Sequence, residues 1–273
     1  MSEQDGAPGL TAKEQEKVEE RIAPRSPVIH AVVRQQGEDE LARPMGSLFW
    51  SGVAGGIAIM ASVIAEGALR TKLPHGPPWE AVADLGYSLG FILVVLGRMQ
   101  LFTEQTVVAV LPVMAAPGWR NLGRVARLWA IVFTANTAGA AVAAAMNVDL
   151  HLVAEPLLHA MLDVSRELLE KDPLTLMLQG IPAGFLIASV AWLRAGAADG
   201  EFWIVTTLTY AIALGGFTHV VAGSAEAFLL VFADETDLQH AFLGIILPAL
   251  AGNVIGGTGL FALLAHAQVR QEI

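Results

Sequence analysis

The sequence contains no cysteine, and only 15% of its 273 residues are charged. The absence of cysteine excludes a disulfide framework, a thiolate metal site and a cysteine nucleophile. A soluble domain carries about 25% charged residues, so the deficit indicates a chain that lies in a membrane. The rest of the composition agrees with this interpretation, because 54% of the residues are hydrophobic and the mean hydropathy is +0.55.

Basic residues are also scarce, since 16 lysines and arginines stand against 26 acidic residues and the formal net charge is -10. Proteins that bind nucleic acid present a basic face, so the balance argues against that class. The sequence also lacks a phosphate-binding glycine loop, so transport driven by ATP is not expected.

Signals for catalysis or for a metal are equally weak. His219 and Ser224 are five residues apart and off one helical face, and no acidic residue is placed to orient the histidine. Glu226, His219 and His240 lack the paired spacing of a metal site. We therefore expect neither an enzyme nor a resident metal or cofactor.

A polar segment precedes the apolar body of the chain. Its acidic start lacks the apolar core and the basic cluster of a secretory signal. Two charged stretches within it predict short helices that end at Pro24 and Pro44. We expect residues 1–44 to be a solvated cytoplasmic extension and residues 269–273 to be a cytoplasmic tail. Residues 45–268 between them would form a transmembrane channel domain.

Six uncharged windows follow, and a helix needs about 20 apolar residues to cross a membrane. The second window is too short alone and becomes a span only if the irregular stretch "RMQLFTEQTVVAVLPVMAAP" continues it. The predicted fold class is an all-α membrane protein with six transmembrane helices, of which the second and the fifth are interrupted. The windows are residues 45–65, 85–97, 128–148, 174–193, 202–225 and 241–269.

The distribution of lysine and arginine orients these spans, because both residues collect on cytoplasmic loops. With the N-terminus inside, eleven basic residues lie on the cytoplasmic side and four lie outside. The short loop "GWRNLGRVAR" decides the assignment, since short loops carry most weight in this rule. We expect a multi-pass protein of a bacterial-type inner (plasma) membrane with both termini cytoplasmic. The outer residues are Arg70, Lys72, Arg166 and Lys171.

The two halves of the chain contain similar patterns. "LFTEQTVVAVL" is followed by "FTANTAGA", and "GFTHVVAGSAEAFLL" is followed by "LAGNVIGG". Thr103 and Asn136 are 33 residues apart, and Thr218 and Asn253 are 35 apart. Three spans in each half would give the halves opposite orientations, so the pattern predicts two inverted repeats with a solute site near the membrane midplane. A chance echo in an apolar chain is the alternative.

Several stretches together resemble the formate/nitrite transporter family, over residues 45 to about 268. The resemblance implies a homopentamer of aquaporin-like protomers, each with its own pore, that passes small monovalent anions such as formate, nitrite or hydrosulfide. The stretches are "LGYSLGFILVVLG", "LFTEQTVVAVLPV", "RLWAIVFTANTAGA", "LQGIPAGFLIASVAWL", "GGFTHVVAGSAEAF" and "LPALAGNVIGG".

His219 lies at the second interruption. Broken backbone is tolerated inside a membrane only where it lines a cavity or is buried in protein. A half-helix that starts there presents free N–H groups and a positive dipole end, which attract an anion. The resemblance makes His219 the central pore residue, and an imidazole can also exchange a proton near neutral pH. The alternative is a histidine that only packs between helices.

Two threonines and two asparagines accompany the histidine. In the family the threonine that matches Thr103 faces the central histidine, whereas Thr218 stands where relatives often have a glutamate. Either threonine could instead bond back to its own helix. We expect Asn136 and Asn253 to hydrogen-bond the loosened backbone of the two breaks.

The pore constrictions should be apolar. Tyr87 and Phe91 are one helical turn apart and match the two constrictions of the family by motif position. Ile212 and Ala222 would face them from the fifth span, and we assign Phe102 of the "LFT" motif to the constriction as well. Ordinary core packing is the alternative for each of these residues.

Departures from the family pattern leave the substrate open. Gln100 stands where a glutamate is common, and Gly184 and Gly223 stand where asparagine is common. The lysine expected before the fourth span has no secure match, although Lys171 is nearby. Three functions therefore compete: a channel or proton-coupled transporter for small weak-acid anions, a non-conducting scaffold or sensor, and a pore for neutral solutes.

Overall fold

A computed structural model of the protein describes residues 10–11, 13–14, 23–197 and 199–272, and the regular elements in these ranges are all helical. The helices in chain order are α1 (Ser26–Ala42), α2 (Met45–Arg70), α3 (Pro77–Leu96), α4 (Phe102–Ala115), α5 (Trp119–Asp149), α6 (Glu155–Arg166), α7 (Pro173–Gly196), α8 (Glu201–Leu214), α9 (Val220–Phe232) and α10 (His240–Val269).

Five of these helices are long and apolar enough to cross a membrane, namely α2, α3, α5, α7 and α10. Helices α4, α8 and α9 are apolar but shorter. The fifth predicted window is thus divided into α8 and α9, and a second break separates α3 from α4. Both interruptions were expected, and each falls beside the residues that suggested it.

Helix α3 is longer than its uncharged window. It begins at Pro77 rather than near Leu85, so it is long enough to span without α4. The predicted window began only after Asp84 because it was defined by the absence of charged residues. Proline is favoured at the first position of a helix, where the missing N–H has no partner to lose.

Helix α1 shows that the polar N-terminal segment is not solvated on every side. His30, Val33, Gly37 and Leu41 are buried, and their spacing of three or four residues places them on one face. That face packs against α4, α7 and α10. The helix ends just before Pro44, as expected. Most of the other predicted helix, before Pro24, lies outside the described residues.

Two pairs of helices approach closely at glycines. A Cβ atom added at Gly56 of α2 would lie 2.1 Å from the carbonyl oxygen of Asn136 on α5. A Cβ atom added at Gly184 of α7 would lie 2.2 Å from the carbonyl oxygen of Asn253 on α10. Small residues permit such contact between membrane helices. The α2–α5 and α7–α10 pairs therefore bring Asn136 and Asn253 against the neighbouring backbones.

Candidate functional site

The two breaks are built in the same way. Arg98 and Gly216 both have positive φ values, 53° and 59°, directly after the end of a helix. In each case the next residue donates a backbone hydrogen bond to a carbonyl five residues earlier, as in a Schellman motif. The chain then becomes extended at Leu101 and at His219, and α4 and α9 begin at the following residue.

Asn136 holds the first break. Its Oδ1 accepts a hydrogen bond from the Phe102 backbone N–H at 2.9 Å. Its Nδ2 donates to the carbonyl oxygens of Gly52 at 2.8 Å and Gln100 at 2.9 Å. One side chain thus satisfies the first N–H of α4 and binds the extended backbone before α4 to α2.

Asn253 does the same at the second break. Its Oδ1 accepts from the Val220 backbone N–H at 2.8 Å. Its Nδ2 donates to the carbonyl oxygens of Gly180 at 2.9 Å and Thr218 at 2.8 Å. The structure therefore shows the expected contact between each asparagine and the backbone of a break.

These bonds correct the alignment of the two halves. They make Phe102 equivalent to Val220 and Gln100 equivalent to Thr218, so Leu101 corresponds to His219. Thr103 and Thr218 do not occupy equivalent positions. The repeated Phe-Thr dipeptide was misleading because it lies three residues out of register with the backbone geometry.

His219 and Thr103 meet between the breaks. Nδ1 of His219 accepts a hydrogen bond from the Ala222 backbone N–H at 3.3 Å. In the neutral ring Nε2 must then carry the proton, and it donates to Thr103 Oγ1, 2.7 Å away. The Thr103 hydroxyl hydrogen remains to be offered to a further acceptor. Both side chains are buried.

Aromatic rings surround this contact on one side. The ring of Phe91 lies edge-on to His219, with centroids 4.8 Å apart, and Tyr87 lies 5.1 Å from Phe91. Ile212 and Ala222 are also buried. The ring of Phe102 instead contacts two aromatic rings of α5, Trp129 at 5.6 Å and Phe133 at 5.4 Å.

One pocket, of about 70 Å³, reaches His219 from the end of α2. Lys171 lines it, and its Nζ donates to the Gly216 carbonyl oxygen at 3.0 Å. Sequence reasoning gave the expected lysine no secure match, and the structure places Lys171 in the lining of this pocket. Asp172 beside it caps α7, and hydrogen bonds from the Thr175 hydroxyl and backbone lower the pKa of Asp172.

A larger pocket, of about 290 Å³, lies beside the first break. Arg194 bridges two carboxylates there, Glu104 at 3.0 Å and Glu201 at 3.1 Å. Gln100 Nε2 donates to Glu40 of α1 at 2.9 Å. The glutamine that replaces a common glutamate is therefore itself paired with a carboxylate from the N-terminal helix.

The sequence profile of the family described as formate/nitrite transporter matches residues 27–267.

The chain belongs to the formate/nitrite transporter family.

The resemblance inferred from its motifs is thereby confirmed, and the apolar helices together with this membership make it a multi-pass membrane protein. The profile match begins at Pro27, inside α1, so the packed N-terminal helix lies within the region shared with the family.

Two relatives are similar to this formate/nitrite transporter family member along most of their length. The inner membrane protein YfdC of Escherichia coli (strain K12) is 37% identical over 255 residues, which cover 93% of this chain and 82% of that protein. The uncharacterized transporter YrhG of Bacillus subtilis (strain 168) is 27% identical over 246 residues, covering 85% of this chain and 90% of the relative.

Two solved structures share the fold of this formate/nitrite transporter family member. A pentameric formate channel with formate bound has a TM-score of 0.72 at 18% identity, covering 83% of this chain and 98% of its own. An FNT family ion channel has a TM-score of 0.73 at 18% identity, covering 89% and 98%. At this identity the likeness shows the fold alone.

Sequence reasoning missed several charged residues near His219. Glu226 was considered only as a metal ligand, although it follows His219 by seven residues and therefore lies on the same face of α9. That spacing was the available signal. Glu66 and Arg70, which line the same pocket from α2, gave no comparable signal because they are distant in sequence.

Proposed function

We propose that the protein passes small monovalent weak-acid anions, of the formate or nitrite kind, across the membrane with proton exchange near His219. The observation that carries this proposal is the hydrogen bond of 2.7 Å between His219 and Thr103, buried where two half-helices begin. Membership of the formate/nitrite transporter family supports it. Asn136 and Asn253 would hold the two breaks open toward the pathway.

The mechanism follows from the cost of charge in a membrane. A bare anion at the bilayer centre costs several kcal/mol or more. A small carboxylic acid has a pKa of roughly 4 in water, and a low dielectric raises that value by disfavouring the charged form. The half-helix starts of α4 and α9 attract the anion, and a proton exchanged at His219 lets it continue as the neutral acid.

The constriction would then act on the neutral form. Phe91, Ile212 and Ala222 are apolar and buried. Phe91 contacts the His219 ring, and the Ala222 N–H bonds to its Nδ1. Tyr87 continues this apolar wall one turn further. A narrow apolar passage raises the barrier for a hydrated ion far more than for a small neutral acid. The ring of Phe102 packs against α5, so the part that we propose for Phe102 in the constriction is played by its backbone at the first residue of α4.

We further propose six transmembrane spans in two inverted three-helix repeats, with both termini cytoplasmic. The equivalent asparagine bonds at the two breaks support the repeats. A homopentamer is proposed because one of the solved structures with this fold is a pentameric formate channel. Native mass measurement in mild detergent should give five copies, and a stable monomer or dimer would contradict this assembly.

Uptake of labelled formate, nitrite and glycerol into proteoliposomes tests the function. We expect formate and nitrite to enter faster as the external pH falls, while glycerol and chloride are excluded. Entry of glycerol with no entry of formate would instead identify a pore for neutral solutes. No flux of any solute from a correctly assembled protein would identify a scaffold or sensor.

A further inference from the structure

Helix α4, which carries Thr103, is interrupted in its middle. Its regular turns stop before residues 109–110 and resume after them. A helix that stops leaves its last carbonyl groups without donors from its own backbone. Here the Val110 N–H bonds to the carbonyl oxygen of Val107, three residues earlier, in place of the Thr106 carbonyl four residues earlier. The Thr106 carbonyl therefore needs a donor from another part of the protein.

Thr258 of α10 supplies that donor. Its Oγ1 donates to the Thr106 carbonyl oxygen at 2.6 Å. The neighbouring Gly257 packs against the side chain of the same threonine, because a Cβ atom added at Gly257 would collide with the Thr106 hydroxyl. That hydroxyl is buried and donates to the Thr103 carbonyl oxygen at 2.7 Å. Two consecutive residues of α10 thus hold the turn of α4 that contains Thr103.

The backbone of α10 is unusual at this contact. Residues Ile255–Ala262 form π-helical turns, which are rare and are found mostly at functional sites. The same helix also holds the second break, since Asn253 binds the backbone on both sides of His219. Helix α10 therefore supports both partners of the buried hydrogen bond in the pore.

The bond from Thr258 has no counterpart in the other half of the chain. Thr258 follows Asn253 by five residues, and the residue five after Asn136 is Ala141, which has no hydroxyl. Helix α9 does not depend on such a donor, because its regular turns continue to Phe232. The extra hydroxyl is therefore specific to the interrupted helix α4.

Building on the weak-acid passage proposed above, we propose that Thr258 is a positioning residue of the pore. Its hydroxyl fixes the position of α4 and so keeps Thr103 Oγ1 within hydrogen-bond distance of His219 Nε2. Without it the Thr106 carbonyl loses its donor, and a small shift of α4 toward another donor would relieve that cost. Because misplacing reacting groups by about 1 Å can slow a step about 100-fold, a small shift is sufficient to impair proton exchange.

The ring nitrogens of His219 test this inference without any flux. In protein that contains isotope-labelled histidine, their magnetic resonance signals are identified by their loss in His219→Asn. We expect Thr258→Val to move these signals in the same direction as Thr103→Val, which removes the partner of the ring. Thr258→Ser keeps the hydroxyl and should leave the signals unchanged.

A double-mutant cycle on the same signals shows whether Thr258 acts through Thr103. In the Thr103→Val background, Thr258→Val should move the signals no further, because the hydroxyl that it positions is already absent. Formate uptake into proteoliposomes gives the consequence for transport. We expect Thr258→Val to slow uptake at least about tenfold and Thr258→Ser to restore it.

Two further variants make the comparison secure. Thr206→Val is the matched control, because it removes a threonine hydroxyl that donates to the Phe202 carbonyl oxygen at 2.7 Å within α8. It should change neither the His219 signals nor the uptake of formate. Thr258→Ala removes the same hydroxyl as Thr258→Val with a smaller side chain, and it takes the place of the valine variant if that variant does not assemble.

The outcomes separate this role from the proposed function. Unmoved signals in the Thr258 variants that lack the hydroxyl, or equal movement with and without the Thr103 hydroxyl, overturn the positioning role. Unchanged formate uptake in Thr258→Val also overturns it and leaves the transport function intact. Moved signals in Thr258→Val, when the unaltered protein takes up no formate, support the positioning of Thr103 and overturn the transport function.

Discussion

Thr103 Oγ1 lies 2.7 Å from His219 Nε2, although the two residues are 116 positions apart in the chain. Thr103 is in the first turn of α4, and His219 caps the first turn of α9. The contact therefore joins two half-helix starts, whose positive dipole ends favour negative charge. The two breaks differ in chemical character, because the residue equivalent to His219 at the first break is the apolar Leu101.

The first prediction concerns the histidine. His219→Phe should abolish pH-dependent uptake of formate into proteoliposomes while leaving the oligomer intact, because a phenyl ring packs against Phe91 but carries no proton. His219→Asn should keep a hydrogen-bond donor, lose the exchangeable proton and leak anions. Uptake of formate and of chloride, compared at low and neutral pH, measures both effects. Unchanged rate and pH dependence in His219→Phe would make this residue a packed structural group.

A second prediction concerns the asparagines that hold the breaks. Asn136→Ala and Asn253→Ala each remove three buried hydrogen bonds. A buried polar group left unsatisfied costs about 1–3 kcal/mol, so each variant should lose at least about 3 kcal/mol of stability. Thermal unfolding in detergent measures the loss. Asn121→Ala is the control and should unfold like the unaltered protein, because it removes only a bond to the exposed Ala116 carbonyl and a long bond of 3.4 Å from Arg124.

A third prediction compares two glycines at which the family often has asparagine. Gly184→Asn should destabilise the protein strongly, because even a Cβ atom would lie 2.2 Å from the Asn253 carbonyl oxygen and overpacking costs about 1–3 kcal/mol or more. Gly223→Asn should fold normally, since its Cβ atom would have ordinary contacts at 4.0 Å. Thermal unfolding distinguishes the two, and equal unfolding temperatures would contradict the packing described for Gly184.

These two glycines show what a single sequence can and cannot predict. Hydropathy and helix-breaking residues located the apolar helices and both breaks, because those signals are local. The roles of Gly184 and Gly223 differ through contacts with distant segments, which local patterns do not contain. Both replacements looked like lost pore groups, but Gly184 faces the backbone of α10.

The same reasoning explains the other errors at the site. The Phe-Thr echo paired Thr103 with Thr218, whereas the equivalence is fixed by asparagine bonds that reach 33 or 34 residues along the chain. Lys171 reaches the pocket beside His219 only because the segment that joins α6 to α7 lies near the start of α9, which no local pattern indicates. His219 itself could be recognised early, since an ionisable residue in an apolar segment is rarely without a role.

A fourth prediction tests the topology. Helix α5 runs from Trp119 to Asp149, so its two ends should lie on opposite sides of the membrane. Reporter fusions near Arg120 should show cytoplasmic activity, because the basic loop before α5 favours that side. Fusions near Asp149 should report the outer side. The same assignment for both fusions would contradict the six-span arrangement.

The fifth prediction concerns the attachment of α1, where His30 Nε2 lies 3.2 Å from Nδ1 of His266 on α10. Burial lowers the pKa of His30 below its usual 6.5, and nearby His266 and Arg34 act in the same direction. The docked helix therefore binds fewer protons than the released one, so docking is complete above about pH 6.5 and weakens as the pH falls through the lowered value. Hydrogen exchange across Ser26–Ala42, corrected for intrinsic rates, should speed up on acidification. His30→Gln should remove this pH dependence. The control His75→Gln, at an exposed position, should retain it. Identical acid-induced exchange in His30→Gln and the unaltered protein would show that another group controls the docking.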